Sequence, residues 1–224
     1  MPVKLLRAGA RLAATAVTAV SVSALVVAAP ASTAAAQACS DVELIFARGT
    51  SEPAGIGRVG QALADAMRPM LGGRTLSTYG VNYPATYDFL TTAAGAADAT
   101  ARIASVSSVC PGTRFVLGGY SQGAAVVDML AGVPPLGNRI GDIGSAPPLP
   151  ANLASDVAAV AVFGNPATKF GNPVSARGLF AGRGIDLCSD GDPICSDGRN
   201  PFAHTHYETS PFVGQAASFA AGLA

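Results

Sequence analysis

The stretch that decides the fold is FVLGGYSQGAAVV, residues 115–127. It begins with an apolar run typical of a buried strand, turns at two glycines and a serine, and continues with residues that predict a helix. Ser121 lies in the turn, within the pattern G-x-S-x-G. Glycines two residues before and after it let strand and helix pack closely behind the serine. The pattern predicts a nucleophilic Ser121; the alternative is a tight turn with a solvated serine.

Strand and helix patterns alternate on both sides of this turn. We predict strands at residues 42–47, 75–83, 157–163 and 185–187, and helices at 58–71, 90–104, 122–130 and 211–223. A loop with five prolines spans residues 133–150. The alternation predicts an α/β fold with a parallel sheet covered on both faces. Ligands of such sheets bind at the carboxyl ends of strands, where the serine turn and the loop after residue 163 should meet the end of the first strand.

The first 38 residues differ in composition from the rest of the chain. Three basic residues precede an apolar stretch at residues 12–29, and small residues follow. This order is typical of a secretory signal peptide. We therefore predict that residues 1–38 are removed and that residues 39–224 form a single domain. An uncleaved membrane anchor is the alternative, and lipoprotein processing at Cys39 is disfavoured because no leucine stands at the expected upstream position.

The composition of residues 39–224 restricts the classes of partner. This segment carries 11 basic and 14 acidic residues, a net charge of −3, and its arginines are scattered singly. Nucleic-acid binding proteins usually carry a basic patch, so we expect no nucleic-acid partner. No further apolar run reaches the length of about 20 residues that spans a membrane. We therefore expect no transmembrane segment after removal of the signal peptide.

Four cysteines all lie in the predicted mature segment. An even number in an exported chain predicts two disulfides, with three possible pairings. The short interval between Cys188 and Cys195 favours a local loop, and Cys39 would then pair with Cys110. A catalytic cysteine or a zinc site is the alternative, which the lack of C-x-x-C and of suitably spaced histidines disfavours.

A serine nucleophile needs a base, and the chain has only two histidines, His204 and His206. If Ser121 is catalytic, one of these histidines is its base. The acid is expected between serine and histidine, the chain order of α/β-hydrolases. The candidates are Asp128, Asp142, Asp156, Asp186, Asp190, Asp192 and Asp197. Asp128 is expected on a solvated helix face, the aspartates from 186 to 197 are nearest the histidines, and the pattern alone does not choose among them.

Five segments together carry a resemblance to a known family. They are FARGTSEP at 46–53, GYSQG at 119–123, FGNP at 163–166, CSDGDPIC at 188–195 and HTHY at 204–207. From Cys39 to about Tyr207 the chain resembles cutinases, in particular the cutinase-like esterases that actinobacteria secrete. The resemblance implies a three-layer α/β/α sandwich, the α/β-hydrolase fold of the small cutinase type with a central parallel sheet.

The resemblance also implies roles for single residues. Ser121 matches the family's nucleophile, Asp192 its acid and His204 its base. The oxyanion donors would be the backbone amides of Thr50 and Gln122, helped by the Thr50 hydroxyl. The implied disulfides are Cys39–Cys110 and Cys188–Cys195.

Two positions depart from the family pattern. His206 stands between the catalytic histidine and Tyr207, where the family usually has apolar residues. Thr50 replaces the more familiar serine but keeps its hydroxyl and amide. Asp190 remains an alternative acid, although a turn residue in a Ser-Asp-Gly run is the simpler interpretation.

The resemblance implies a secreted, extracellular serine esterase that hydrolyses carboxylic esters of short-to-medium acyl chains without a metal or organic cofactor. We expect a monomer whose partner is a small-molecule, lipid or polyester ester. An acetylxylan-type esterase and a lipase or phospholipase would use the same residues; the low aromatic content of 6%, with no Trp, disfavours sugar stacking. A secreted binding or surface protein with an inactive hydrolase fold is the non-enzymatic alternative, and the intact set of site residues argues against it.

Overall fold

The computed structural model describes residues 39–137 and 142–224, and the predicted signal peptide at residues 1–38 lies outside them. In the described part of the chain, five parallel strands form one sheet in the order β2-β1-β3-β4-β5. The strands are β1 (Val42–Ala47), β2 (Leu76–Gly80), β3 (Arg114–Tyr120), β4 (Val157–Phe163) and β5 (Gly184–Leu187). The predicted parallel sheet is therefore confirmed.

Helices cover both faces of this sheet. Those of the described residues are α1 (Gly57–Met67), α2 (Thr92–Val109), α3 (Gln122–Ala131), α4 (Ala151–Ala154), α5 (Pro166–Lys169) and α6 (Phe212–Leu223). Helices α2 and α3 share one buried apolar cluster with Ile45, whereas α1 and α6 share a second cluster with Leu44. Neighbouring residues of a strand point to opposite faces, so the sheet is the middle layer of the expected α/β/α sandwich. None of the described helices has both the length and the apolar character needed to cross a membrane.

The predicted elements are all present, with shifts at their ends. The helix predicted at 58–71 ends at Met67, and a short 3-10 turn follows at Arg68–Met70. Pro69 explains this end, because proline lacks the amide hydrogen that a continuing helix needs. The strand predicted at 75–83 ends at Gly80. After Gly80, the carbonyls of Val81 and Tyr83 accept hydrogen bonds from the Arg48 guanidinium rather than from a neighbouring strand.

Both predicted disulfides are present, and no cysteine is free. Cys39 pairs with Cys110 across 71 positions, and Cys188 pairs with Cys195 across 7. By chain entropy, closing such loops stabilises the folded state by about 4 and about 2 kcal/mol, respectively. Because all four sulfurs are paired, the alternatives of a catalytic thiol and of a zinc site with cysteine ligands are wrong.

A buried polar cluster links α3 to the loop after β4. The Asn165 side-chain amide donates to Asp128 Oδ1 at 3.0 Å and to Asp186 Oδ1 at 2.9 Å. Asp128 is completely buried, and its Oδ2 has no hydrogen-bond partner among the described residues. The expectation of a solvated face for Asp128 is therefore wrong, because every residue of α3 is buried between the sheet, α2 and α5.

Burial favours the neutral form of Asp128. Burial raises the pKa of Asp128 well above its ordinary value; the hydrogen bond from Asn165 opposes this rise, and the charge of Asp186 adds to it. The folded state thus keeps a proton over a range of pH in which the unfolded state has already released it. The free energy of unfolding therefore falls as pH rises from the unfolded pKa toward the folded one.

We expect Asp128→Asn to remove this fall in the free energy of unfolding at high pH, because an amide of the same shape does not ionise. At pH 8.5 the variant's Tm should exceed that of the wild type by at least about 2–4 °C, the shift that about 1 kcal/mol produces in a chain of this size. The difference should shrink toward pH 4. Thermal unfolding of both proteins from pH 4 to 9 measures the difference in Tm. Asp65→Asn, a change at an exposed aspartate, is the control. Parallel pH curves for Asp128→Asn and the wild type would contradict the prediction.

Candidate active site

Three loops meet where β1, β3 and β4 end. In the register of the sheet, Ala47 lies beside Gly119, and Tyr120 lies beside Phe163. The loop after β1, the serine turn and the loop after β4 are therefore neighbours at one edge of the sheet. This is the position at which the sequence predicts a site, and it is where open α/β sheets bind ligands.

Ser121 lies in a strained turn between β3 and α3. Its φ of 57° and ψ of −116° belong to a region that residues with a side chain rarely adopt. A Cβ at Gly123 would overlap the carbonyl of Ala47, and a Cβ at Gly119 would overlap the backbone of Gly123. Both glycines of the pattern are thus required by the close packing of strand and helix. The turn is further held by the Ser121 amide, which donates to the Phe163 carbonyl at 2.9 Å.

Ser121, His204 and Asp192 form a continuous line of hydrogen bonds. Ser121 Oγ is 2.8 Å from His204 Nε2, and His204 Nδ1 is 2.7 Å from Asp192 Oδ2. A carboxylate only accepts hydrogen bonds, so Nδ1 carries the proton that faces Asp192. Nε2 is then free to accept the proton of the serine. The geometry is the one that acyl transfer by a serine requires.

The other candidates lie elsewhere. Asp186 accepts from Asn165 and from the amides of the loop after α5, and Asp156 accepts from Ser107. Asp190 and Asp197 are exposed. The side chain of His206 is 74% exposed. The structure thus brings Asp192 and His204 to the serine, and their catalytic roles stay predictions.

Asp192 is held as a buried carboxylate. Burial by itself raises the pKa of Asp192, but hydrogen bonds from His204, from the Tyr207 hydroxyl and from the Ile194 amide outweigh it and lower the pKa below its ordinary value. The Tyr207 hydroxyl donates to Oδ2 at 2.7 Å and accepts from the Ser189 amide at 2.9 Å. The disulfide between Cys188 and Cys195 closes the loop that carries this aspartate.

Two tyrosines that sequence reasoning missed hold His204 and Asp192 in place. The ring of Tyr120 lies 5.2 Å from the ring of His204, and its hydroxyl donates to the His204 carbonyl. Tyr207 fixes Asp192 as described above. Both lie within segments that carry the family resemblance, Tyr120 beside the serine and Tyr207 after the histidines. Position in the motif was thus the available signal, but nothing in the pattern states which atom a tyrosine contacts.

The loop after β1 is fixed by buried charges that sequence reasoning also missed. Arg48 donates from Nε to the Glu52 carbonyl at 2.9 Å and from its guanidinium to the Tyr83 carbonyl at 2.7 Å. The Glu52 carboxylate accepts from the Gly49 amide at 2.7 Å and from the Arg58 amide at 3.0 Å. These contacts clamp the loop at both ends around Thr50.

Thr50 and Gln122 present unpaired amides beside Ser121. In the described part of the chain, neither backbone amide has a protein acceptor. The Gln122 amide begins α3, so it is one of the donors that a helix start leaves free. An anion at this position would receive both donors. The Thr50 hydroxyl donates to Gln122 Oε1 at 3.0 Å, so its hydrogen is directed at the glutamine rather than at the cavity.

A cavity of about 400 Å³ opens above the serine. Ser121 and His204 lie in its lining, together with Thr50 and Gln122. The other lining residues are Tyr87, Phe89, Tyr120, Leu136, Ile143, Pro166 and Ile194. The cavity therefore combines an apolar wall with one polar edge formed by residues such as Ser121 and His204. This suits a ligand with an apolar chain next to a polar reacting group.

The chain is similar to known proteins over most of its length. A family model described as "Cutinase" matches residues 38–223. "Phospholipase Culp4" of Mycobacterium tuberculosis is 47% identical over 188 residues, which cover 84% of this chain and 80% of that protein. "Carboxylesterase Culp1" of Mycobacterium bovis is 42% identical over 205 residues, which cover 87% and 88%. The structure of Trichoderma reesei cutinase with a phosphonate inhibitor is 35% identical, with a TM-score of 0.64, over 83% of this chain and 77% of that chain.

Removal of the Tyr207 hydroxyl is expected to change the pH dependence of activity. In Tyr207→Phe the Asp192 carboxylate loses one of the donors that lower its pKa, so the pKa of Asp192 rises. Because the carboxylate must stay ionised to hold the imidazole, the acid limb of the kcat/KM profile moves to higher pH, by about 0.3–1 unit for one net hydrogen bond. Ester hydrolysis from pH 4 to 9 measures the shift.

Tyr79→Phe is the matched control for this change. The Tyr79 hydroxyl also donates to a carboxylate, that of Asp98, at 3.1–3.2 Å, but away from the cavity. Its profile should coincide with that of the wild type. A Tyr207→Phe profile displaced toward lower pH would show that the hydroxyl does not support the carboxylate.

Proposed function

This chain belongs to the cutinase family of serine carboxylic-ester hydrolases, and from that premise we propose that it hydrolyses esters of short-to-medium acyl chains through Ser121, His204 and Asp192. The observation that carries the proposal is the unbroken line of hydrogen bonds from Ser121 Oγ through His204 to Asp192, open to an apolar cavity. If Ser121 were only a solvated turn residue, nothing would require its hydroxyl to contact an imidazole that is itself paired with a buried carboxylate.

The reaction follows from the positions of these atoms. Ser121 Oγ attacks the ester carbonyl while His204 Nε2 takes its proton, and the amides of Thr50 and Gln122 receive the tetrahedral oxyanion. The intermediate collapses, and the leaving alkoxide takes the proton from Nε2 and departs as the alcohol. Water then attacks the acyl-enzyme by the same route, which releases the acid and restores Ser121. Asp192 keeps the imidazole oriented and balances its charge at both steps.

The cavity supports a preference for short-to-medium acyl groups. Its volume of about 400 Å³ is near the lower end of ligand sites, which are about 300–1,000 Å³. Apolar side chains such as Phe89, Leu136 and Ile143 line it and suit an alkyl chain. A longer chain would extend beyond this wall toward solvent.

Hydrolysis of lipid esters is a second candidate on the same residues. Three large apolar side chains in the cavity lining are exposed, Tyr87 at 78%, Phe89 at 40% and Ile194 at 38%. Exposed apolar patches of this kind suit an aggregated apolar substrate, and one relative is named a phospholipase. An acetylxylan-type activity is less well supported, because the chain contains no Trp on which a sugar could stack.

We also propose export of the protein. Residues 1–38 would be a removed signal peptide, and residues 39–224 one extracellular domain. Two disulfides support this proposal, because such bonds persist in oxidising compartments. The groups proposed for catalysis all come from one chain, which supports action as a monomer.

Replacing the proposed nucleophile or base should remove activity from a folded protein. We expect Ser121→Ala and His204→Ala each to lower kcat/KM for a p-nitrophenyl ester by at least about 1,000-fold. A fluorophosphonate probe should label the wild type at Ser121 and should not label Ser121→Ala. Steady-state kinetics and intact mass measure these effects, with circular dichroism to establish folding.

Two control variants show whether a loss of activity is specific to Ser121 and His204. Ser108→Ala removes an exposed hydroxyl on α2, and His206→Ala removes the exposed second histidine; both should keep most of the activity. An inactive His206→Ala beside an active His204→Ala would transfer the role of base to His206. Wild-type rates in both histidine variants would disprove the triad.

The cavity predicts a maximum in an acyl-chain series. Among p-nitrophenyl esters from acetyl to palmitoyl, kcat/KM should be highest for short-to-medium chains, because only these are buried along the apolar wall. Acetylxylan and phosphatidylcholine vesicles, assayed in parallel, separate the alternative activities. A palmitoyl ester that is the best soluble substrate, together with vesicle hydrolysis, would favour the lipid-hydrolase candidate.

A further inference from the structure

A buried chain of hydrogen bonds runs from the cavity to the start of α2. The Thr50 hydroxyl donates to Gln122 Oε1 at 3.0 Å, and Gln122 Nε2 donates to Thr92 Oγ1 at 3.0 Å. Thr92 is completely buried at the first position of α2, and Gln122 is almost completely buried. Thr50 and Gln122 line the cavity, whereas Thr92 lies behind them. Thr92 has no place in the mechanism described above.

In this arrangement the hydroxyl of Thr50 is not available to an oxyanion. A hydroxyl has one hydrogen, and that of Thr50 is directed at Gln122 Oε1. The Thr50 backbone amide remains free, but the hydroxyl contributes only an oxygen to the cavity. An oxygen atom that faces a developing negative charge without a hydrogen between them would repel it.

The same three side chains can form the chain in the opposite direction. If the Gln122 amide turns over, Nε2 donates to Thr50 Oγ1, and the Thr92 hydroxyl donates to Oε1. Each hydroxyl both donates and accepts, so every group stays paired. The hydrogen of Thr50 is then free to point at the oxyanion. No side chain has to leave its place for this exchange.

We propose that Thr92 is a positioning residue of the oxyanion hole: it accepts from Gln122 in the resting enzyme and donates to it when charge develops, which releases the Thr50 hydroxyl as a third oxyanion donor. This rests on the proposed function, in which Ser121 generates that oxyanion. Only a residue with both a donor and an acceptor at position 92 supports both directions of the chain.

The burial of Thr92 makes this requirement strict. With an apolar side chain at position 92, the Gln122 amide would lose its buried partner in both directions, Nε2 in the resting one and Oε1 in the turned one. An unpaired buried polar group is costly, so the Gln122 side chain would no longer be held beside Thr50. The Thr50 hydroxyl would then lose the partner that orients its hydrogen toward the oxyanion.

The test compares Thr92→Val, Thr92→Ser and the wild type. Valine has the shape of threonine without the hydroxyl, and serine keeps the hydroxyl. We expect Thr92→Val to lower kcat by about 10-fold with KM within 2-fold, a smaller loss than that of a complete oxyanion donor. Thr92→Ser should restore kcat to within about 2-fold of the wild type. If Thr92→Val does not fold, the kcat of Thr92→Ala is compared with that of Thr92→Ser instead, with the same expected loss and recovery.

A double-mutant cycle shows whether Thr92 acts through Thr50. Thr50→Val removes the hydroxyl and keeps the backbone amide. If Thr92 acts by releasing that hydroxyl, Thr50→Val/Thr92→Val should be no slower than Thr50→Val alone. The control is Thr113→Val, which removes a buried hydroxyl that binds the Ser40 carbonyl away from the cavity and should leave kcat unchanged.

Three outcomes would overturn the proposal: a wild-type kcat in Thr92→Val, a failure of serine to restore the rate, or fully multiplicative losses in the double variant. These outcomes are distinct from a failure of the proposed function. Every Thr92 variant retains Ser121, His204 and Asp192, so the final extent of fluorophosphonate labelling of Ser121 reports the nucleophile, even where a changed oxyanion hole slows the labelling.

Discussion

The close approach of β1, β3 and α3 around Ser121 is the constraint on which the rest of the site depends. Gly119 and Gly123 leave no room for a Cβ, because the backbone of the neighbouring element lies directly against each of them. This packing accompanies the positive φ of Ser121 and directs its side chain away from the sheet. It also brings the free amide at the start of α3 beside the loop after β1. One contact thus positions both the proposed nucleophile and the proposed oxyanion donors.

Two rigid networks extend from this contact. On one side, Asp192 keeps its charge inside the protein because three donors outweigh the cost of burial, and Tyr120 fixes the backbone of His204. On the other side, Arg48 and Glu52 hold the loop that carries Thr50. The backbone amides of Thr50 and Gln122 and the Asp192 carboxylate are already oriented, so they need no rearrangement when charge develops. Such preorganisation is the main electrostatic advantage of an enzyme site over water.

Sequence reasoning predicted the site unevenly, for identifiable reasons. The glycine pattern indicated Ser121, and the presence of only two histidines restricted the base. The acid remained open among seven aspartates until the family resemblance pointed to Asp192. Asp128 was expected in solvent because its own helix suggested a polar face, yet α5 and Asn165 cover it. A helical pattern describes one helix and contains no information on the element that packs against it.

The sequence by itself determined the alternation of strands and helices, the strained serine turn and the supply of cysteines and histidines. The first two depend on backbone sterics and apolar periodicity, which act over a few neighbouring residues, and the third is a matter of composition alone. The tertiary structure alone decided which groups meet. Ser121 and His204 are 83 positions apart, and Thr92 and Gln122 are 30 apart. Such partners come within hydrogen-bond distance only when the register of the sheet and the packing of its helices fix the loops, because each contact is far shorter than the chain that separates its residues.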